Sequence, residues 1–439
     1  MTAAALHVAA PPLQRRRVAV VGAGAAGLVS ARELRECGHA VTVFEASSAV
    51  GGTWQYTAQT GVHSSVYDSL RTNLPREVMA FSDFAWSRSF AGDDRRFCGH
   101  REVAAYLEAF ASANSLSQLV RFNTPVATAA PAPDGGWTVT TADGGGERFD
   151  ALLVANGHYA VPRWPDIPGL SELAAREPHR VLHSHDYRMP ARFAGLRVLV
   201  VGGAASGEDL SAELATVARC VLWSSSGFES TAAGEGKLGK RPLLTRILAD
   251  GGCCAEFADG SREEVDAILL ATGYHFTFSF LSQTVLDGLS LADNAISLYQ
   301  HCAAPHLLPT SPLFFIGLPW KVLPFPLCEM QAKWAARLLS GALPLPQPLA
   351  MQTWLRDWER RLQPEGPILR RHAHAMSVDE QFAYLDWLAD DAGVARLPGW
   401  RKRMFLSNAR NRKRRPAAYR DVWEAEDESQ EEAAPAPRL

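Results

Sequence analysis

Three things are scarce in this 439-residue chain, and each scarcity removes a class of protein. No two of its seven cysteines (Cys37, Cys98, Cys220, Cys253, Cys254, Cys302 and Cys328) are spaced by two residues, which argues against zinc ribbons and thioredoxin-type redox pairs. Reduced, buried thiols are the expectation, with no metal site. Long apolar runs are missing too. The best stretch, Leu313 to Leu327, is broken by Lys321 and several prolines, so no membrane span is expected. Excess positive charge is absent: the net charge of −3 gives no footprint for nucleic acid or an anionic membrane. Arg15-Arg16-Arg17 follow an Ala-rich lead, the reverse of a secretory signal. A cytoplasmic location is expected, with a short organellar transit peptide as the alternative.

What is present is a motif that occurs twice. An apolar strand from Arg17 to Val21 runs into Gly22-Ala23-Gly24-Ala25-Ala26-Gly27, which opens a helix to Cys37. A second strand follows from Ala40 to Phe44. Glycine at the first position permits the tight turn, and at the second allows close approach of a pyrophosphate. The third lets helix and strand pack closely. Glu45 ends the second strand, 23 positions after Gly22. A carboxylate there accepts from ribose hydroxyls and repels a 2′-phosphate, which favours FAD or NAD over NADP.

The unit recurs at Gly202-Gly203-Ala204-Ala205-Ser206-Gly207-Glu208-Asp209, between strands at Arg197–Val201 and Cys220–Trp223. Ser206 and Asp209 are expected to cap its helix, from about Ser206 to Ala218. This second strand ends in Ser224-Ser225-Ser226 with no acid, so NADPH is favoured. Lys237, Lys240 and Arg241 are the candidate cations for its 2′-phosphate.

The fold class expected is α/β: two Rossmann-like dinucleotide-binding domains of the three-layer type, the NADP domain inserted into the FAD domain. The spans are 15–165 and 276–420 for FAD and 166–275 for NADPH. Residues 1–14 and the acidic 421–439 are expected to be disordered tails. Strands are also expected at Val126–Ala130, Trp137–Thr141 and Arg148–Phe149, and helices at Phe97–Ala113 and Leu327–Leu339. The latter, with Pro326 near its start, would point its positive end at the flavin. Val161 to Pro190, rich in Pro, His and charge, reads as a surface linker, with His183 and His185 as solvent-side hydrogen-bonders.

Between the two loops stand further segments: Gly51-Gly52-Thr53-Trp54, Tyr67 through Phe84, and His183-Ser184-His185-Asp186-Tyr187-Arg188. Beyond them come Ala271-Thr272-Gly273-Tyr274, Gly317-Leu318-Pro319-Trp320-Lys321 and Tyr384 through Ala389. Together these resemble the flavin-containing monooxygenases, most closely the plant-type S-oxygenating branch, from about Arg17 to Arg403.

The resemblance implies an enzyme of N,N-dimethylaniline monooxygenase type. It would use FAD, NADPH and O2 to form a C4a-hydroperoxyflavin that oxygenates a thioether sulfur or amine nitrogen of a small molecule. A homodimer is compatible with it. By the same resemblance Gly22, Ala23, Gly24, Ala25 and Ala26 hold the FAD pyrophosphate, and Glu45 the ribose. Thr53 and Trp54 lie beside the flavin. Thr72, Asn73 and Leu74 lie between the two cofactor rings, with Asn73 as the catalytic hydrogen-bonder. Gly202, Ser206, Gly207, Glu208 and Asp209 form the NADPH turn. The chain departs from the family signature at Glu177 and His179, and at Ser226, where an arginine is usual. The rival functions are a Baeyer–Villiger or decarboxylating flavin monooxygenase, and a flavin-binding protein with a dead NADPH site. The cysteine spacing argues against a disulfide reductase.

Overall fold

The computed structural model describes residues 14–231, 237–248, 252–363, 366 and 368–423. Two βαβ units organise it: β1 (Arg17–Val21), α1 (Ala25–Glu36) and β2 (Ala40–Phe44), then β3 (Arg197–Val201), α2 (Ala205–Leu214) and β4 (Cys220–Ser224). A further strand, β5 (Leu238–Arg241), lies parallel to β4. The chain divides into two compact units, 1–52, 74–157 and 278–439 against 53–73 and 158–277. The second unit therefore takes in Thr53–Asn73, 158–165 and 276–277 beyond the span of 166–275 suggested by the sequence.

In the first unit five parallel strands run in the order Leu313–Phe315, Ala151–Val154, β1, β2, Val120–Arg121. Val18, Ala19 and Val20 are fully buried. An uninterrupted apolar run is what a central parallel strand covered on both faces requires. An antiparallel meander of Val126–Pro131, Trp137–Thr141 and Gly146–Phe149 flanks the sheet. Trp137 anchors it by donating its indole N–H to Ser311 O and Pro312 O, both at 3.1 Å.

Helix α1 packs against α3 (Pro324–Ser340), which starts at Pro324 and not at the expected Leu327. Proline needs no N–H partner in a first turn, so Pro324 and Pro326 both sit inside the helix start. Between these helices lies a buried charge cluster. Arg32 Nη2 contacts Glu33 at 2.5 Å and Glu329 at 3.2 Å, and Nη1 contacts Asp83 at 2.5 Å. Lys333 reaches Glu329 at 2.7 Å. Three carboxylates thus face two cations, and burial raises the Glu33 carboxyl to about 7 against the pull of Arg32.

Three further helices follow, α4 (Pro348–Arg361), α5 (Val378–Ala392) and α6 (Gly399–Arg414). A capping box starts α5: Ser377 N donates to Glu380 Oε2 at 2.9 Å and Glu380 N to Ser377 Oγ at 3.3 Å. The expected helix Phe97–Ala113 starts at His100.

The second unit repeats the plan, with strand order β5, β4, β3, Ala267–Leu270, Val181–His183, all parallel. Leu199 and Val201 face one apolar cluster and Val198 and Val200 another, so this sheet is also covered on both sides. The expected surface linker is structured. It supplies the edge strand Val181–His183 and the helix Leu170–Arg176. His183 and His185, expected at the surface, are 2% and 3% exposed.

The described residues of both expected tails are packed against the first unit. Gln14 N donates to Ser340 O at 2.8 Å, and the Trp423 ring lies 4.7 Å from the Arg96 guanidinium. The remaining tail residues, 1–13 and 424–439, lie outside the described residues. No helix among the described residues is long and apolar enough to cross a membrane. Among them, no group of three or more His, Cys, Asp or Glu side chains could hold a metal ion.

Candidate functional site: two nucleotide cradles

The first cradle is built by backbone. Gly22 takes φ +102° after β1, and a Cβ on it would lie 2.5 Å from Ala155 O. At Gly27 a Cβ would lie 1.8 Å from Gly22 O, so the first turn of α1 rests directly on the loop. Gly24 caps α1 in an extended conformation, and no side chain bonds to the helix start. The first-turn N–H groups from Ala25 onward are left for an anion, aided by the helix dipole. Gly52 closes in from the other side: a Cβ there would lie 3.0 Å from the Gly24 Cα. Only a backbone stripped of side chains at both places allows so close an approach.

Glu45 belongs to this cradle, buried at 7% exposure. Its Oε2 accepts from Ala23 N at 2.6 Å, and Oε1 from Ser47 N at 2.8 Å and Ser47 Oγ at 2.7 Å. The Ala23 N–H therefore holds the acid in place, whereas the sequence had it facing a pyrophosphate. Ser47 was not anticipated; its signal was proximity, two residues beyond the acid. Oε2 keeps a lone pair for a ribose hydroxyl.

The start of α3 lies beside the same loop. Gly317, at φ +85°, would carry a Cβ 3.0 Å from Cys328 Sγ and 3.7 Å from Ala26 Cβ.

The second cradle has the same form and different chemistry. Gly202 takes φ +130°, with a Cβ position 2.2 Å from Ala271 O, and that of Gly207 lies 1.9 Å from Gly202 O. Ala204 stands where the first loop has Gly24, at φ −90°. Ser206 and Asp209 do not cap α2. The N-cap is Ala204, no side chain bonds to the helix start, and the helix ends at Leu214 rather than Ala218. Asp209 Oδ2 instead accepts from Tyr67 OH at 3.5 Å. Glu208 occupies the first turn, and Ser211 Oγ donates to its carbonyl at 3.0 Å.

At the end of β4, where an acid would meet a ribose, Trp223 Nε1 donates to Gly202 O at 2.7 Å. The three candidate cations separate here. Arg241 is committed to Glu263 and to the carbonyls of Thr231 and Lys240. Lys240 pairs in register with Trp223 and sets its ammonium 5.8 Å from that ring and 5.0 Å from the Phe228 ring. It has no carboxylate partner among the described residues. Lys237 precedes β5 at φ +58°.

Thr53, Trp54, Thr72 and Asn73 belong to the second unit, and Leu74 opens the next stretch of the first. Thr72 is buried and Asn73 exposed. Within the second unit the stretch 53–73 is stitched to the His183–Arg188 turn. The buried Arg188 guanidinium donates to five carbonyls: Thr57 at 2.7 Å, Gln59 at 2.7 Å, Ser64 at 3.0 Å, His185 at 2.7 Å and Tyr187 at 2.9 Å. No neutral side chain has that many donors. His185 Nε2 meets Val62 O at 2.7 Å, while Ser69 and Tyr187 both donate to Glu213 of α2. Burial lowers His183 to about 4, so its ring is neutral and its Nδ1 accepts from His185 N. This network was not read from the sequence, where Arg188 had only its place in a motif.

The comparisons with known proteins agree with this architecture. The family model "Flavin-binding monooxygenase-like" matches residues 15–231 and 242–395. Flavin-containing monooxygenase FMO GS-OX-like 4 of Arabidopsis thaliana is 38% identical, over 94% of this chain and 95% of its own. FMO GS-OX5 of the same plant is 38% identical, over 93% of this chain and 91% of its own. Among solved structures, S-allyl-L-cysteine S-oxygenase from Allium sativum superposes with a TM-score of 0.86. Its identity is 39%, with 94% of this chain and 97% of that one covered. Tmm from Pelagibacter, at 22% identity and a TM-score of 0.78, shares the fold, with 92% and 93% covered. The chain belongs to the flavin-binding monooxygenase-like family, enzymes that work with FAD and NADPH.

Proposed function

We propose that this protein is an NADPH- and O2-dependent flavin monooxygenase that transfers one oxygen atom to a thioether sulfur, or to an amine nitrogen, of a small molecule. The observation that carries the reading is the contrast between the cradles. One ends its second strand in a fixed carboxylate, Glu45, and the other in Trp223 with a cation beside it. The first suits FAD and the second a 2′-phosphorylated nicotinamide nucleotide. The thioether class is supported by the Allium S-oxygenase, similar over nearly the whole of both chains.

FAD fits the first cradle because the Gly24 and Gly52 backbones meet with no side chain at either and the helix start is uncapped. Gly22, Gly24, Ala25, Ala26 and Gly27 would hold its pyrophosphate and Glu45 its ribose, with Thr53 and Trp54 beside the ring. Bound there, FAD supplies hydride acceptance and activation of dioxygen. NADPH is assigned to the turn of Gly202, Ser206, Gly207, Glu208 and Asp209. The work left to Thr72, Asn73 and Leu74 is to order the space between the two rings. Asn73 offers an amide that donates and accepts but never supplies an acidic proton. A neutral donor protects a reactive oxygen species from premature release.

Rapid mixing of the NADPH-reduced holoenzyme with oxygen tests the reading. A near-ultraviolet absorbance band should persist without substrate and decay on adding a thioether, with one sulfoxide formed per NADPH. Immediate return to the oxidised spectrum, or turnover of a ketone or keto acid in place of the thioether, would overturn it. Asn73→Ala should keep NADPH oxidation but divert it to hydrogen peroxide, lowering sulfoxide yield at least about tenfold. Lys240→Ala should weaken NADPH about tenfold, the scale of one hydrogen bond to a charged group, and leave NADH unchanged. A titration of both nucleotides followed by tryptophan fluorescence would read the difference.

A further inference from the structure

Away from both cradles, the first unit holds a cavity of about 370 Å³ lined chiefly by Trp354, Trp358, Trp387, Tyr384, Met376 and His301. That volume and that lining are those of a small-molecule site: apolar and aromatic walls with a few polar groups. The walls come from α4, α5 and a tight turn. Trp354 and Trp358, one helical turn apart on α4, stack at 5.7 Å with planes 17° apart. The edge of the His301 ring meets both, at 5.2 Å and 4.7 Å.

The turn that presents His301 is strained. Gln300 and His301 both take left-handed backbone, at φ +51° and +53°, without being glycine. Tyr384 OH holds it by donating to Gln300 O at 2.5 Å. Strain of this kind persists where the surroundings over-determine it, and it clusters at ligand sites.

Two hydrogen-bond donors of this lining lack an acceptor. The Trp358 indole N–H is buried, and no group among the described residues accepts from it. For His301 the nitrogen roles follow from its neighbours. His374 Nε2 accepts from Ile296 N at 3.3 Å, so the proton of the neutral His374 ring is on Nδ1. That N–H meets His301 Nδ1 at 3.1 Å, which must therefore accept. Burial lowers His301 to about 3, so its ring is neutral and its one proton is on Nε2. No group among the described residues accepts from that N–H either. A buried donor without a partner is rare in folded proteins; Trp358 Nε1 is one, and a second free donor on the same cavity, from the half-buried His301, calls for an acceptor from outside.

Charge sets the ligand class. Asp357, Arg361 and Glu380 also line the cavity, Arg361 bound to Glu380 at 2.8 Å and Asp357 to Arg360. No cation is left over to attract an anion, and two donors repel a cation. We propose that this cavity is a binding site for a neutral molecule that joins a flat aromatic body to one hydrogen-bond-accepting oxygen. The aromatic part lies against the tryptophans and the oxygen accepts from Trp358 Nε1 and His301 Nε2.

The test is a titration of the flavin-loaded, full-length enzyme with benzamide, followed by the indole N–H resonances of 15N-labelled tryptophan. Trp358→Phe, which deletes one resonance, assigns the signal. Benzamide should shift the Trp358 indole proton downfield and saturate. Toluene, which has no acceptor, should not shift it downfield. Ala383→Trp, at an exposed position of α5 on the cavity wall, should weaken benzamide at least tenfold while leaving the thermal midpoint in place. No saturable shift of the Trp358 signal, an equal downfield shift with toluene, or unchanged affinity in the folded Ala383→Trp variant would each overturn the proposal.

Discussion

Gly27→Ala is expected to yield protein without bound flavin and destabilised by about 3 kcal/mol or more. The added methyl would lie 1.8 Å from Gly22 O and 2.8 Å from Gly22 C, both backbone atoms that no rotamer change can move. Helix α1 must tilt away from β1, and the uncapped helix start leaves its place over the groove. Gly24→Ala is the informative contrast. Its Cβ would meet the Gly52 Cα at 3.6 Å, ordinary van der Waals contact, at φ −72° where alanine is at ease. The second loop already carries alanine there, as Ala204. Gly24→Ala should therefore keep its apo stability within about 0.5 kcal/mol, like a surface change, and lose flavin affinity alone. The ratio of 450 nm to 280 nm absorbance, with thermal melts of the apo proteins, separates the cases. A yellow, fully stable Gly27→Ala protein would show that the loop is not the flavin cradle.

Arg32→Met is expected to cost about 3–5 kcal/mol, the usual result of stripping a buried ion pair of one partner. Glu33 and Glu329 would remain between α1 and α3, with Lys333 still paired to Glu329. The loss should depend on pH in a defined direction. In the native protein the Glu33 pKa is raised above its unfolded value of 4.5, to about 7. A raised carboxyl binds more protons folded than unfolded, so its contribution is fully present below 4.5 and lost as pH rises through 7. Without Arg32 the Glu33 carboxyl is raised further, so the penalty grows with pH. Urea melts at pH 5 and pH 8 should show the larger deficit at pH 8, and the reverse order would refute the account.

Much of this was legible in the sequence because it depends on local spacing. Gly22, Gly24 and Gly27 with Glu45 state a cradle in one stretch of chain, and the structure places Glu45 against the loop backbone. Other features depend on partners far along the chain. Val181–His183 is only three residues long, too short to show alternation, and becomes a strand because Ile268–Leu270 lies beside it. Arg188 reads as a surface charge until five carbonyls from two segments converge on it. Ser206 and Asp209 look like caps, yet the loop brings Ala204 to the capping position, which fits a site that must keep its N–H groups for a phosphate. His301 gave no local signal, since its role rests on His374 and two tryptophans more than fifty positions later.

The way the chain weaves between its two units has a consequence for synthesis on the ribosome. Strand Leu313–Phe315 and helix α3 complete the first sheet from nearly 300 residues beyond β1. The other body has all of its segments once residue 277 has emerged. Maturation therefore runs against the order in which the two glycine loops are translated. The nascent polypeptide has every segment of its rear cradle while the leading one still waits for its outer strand.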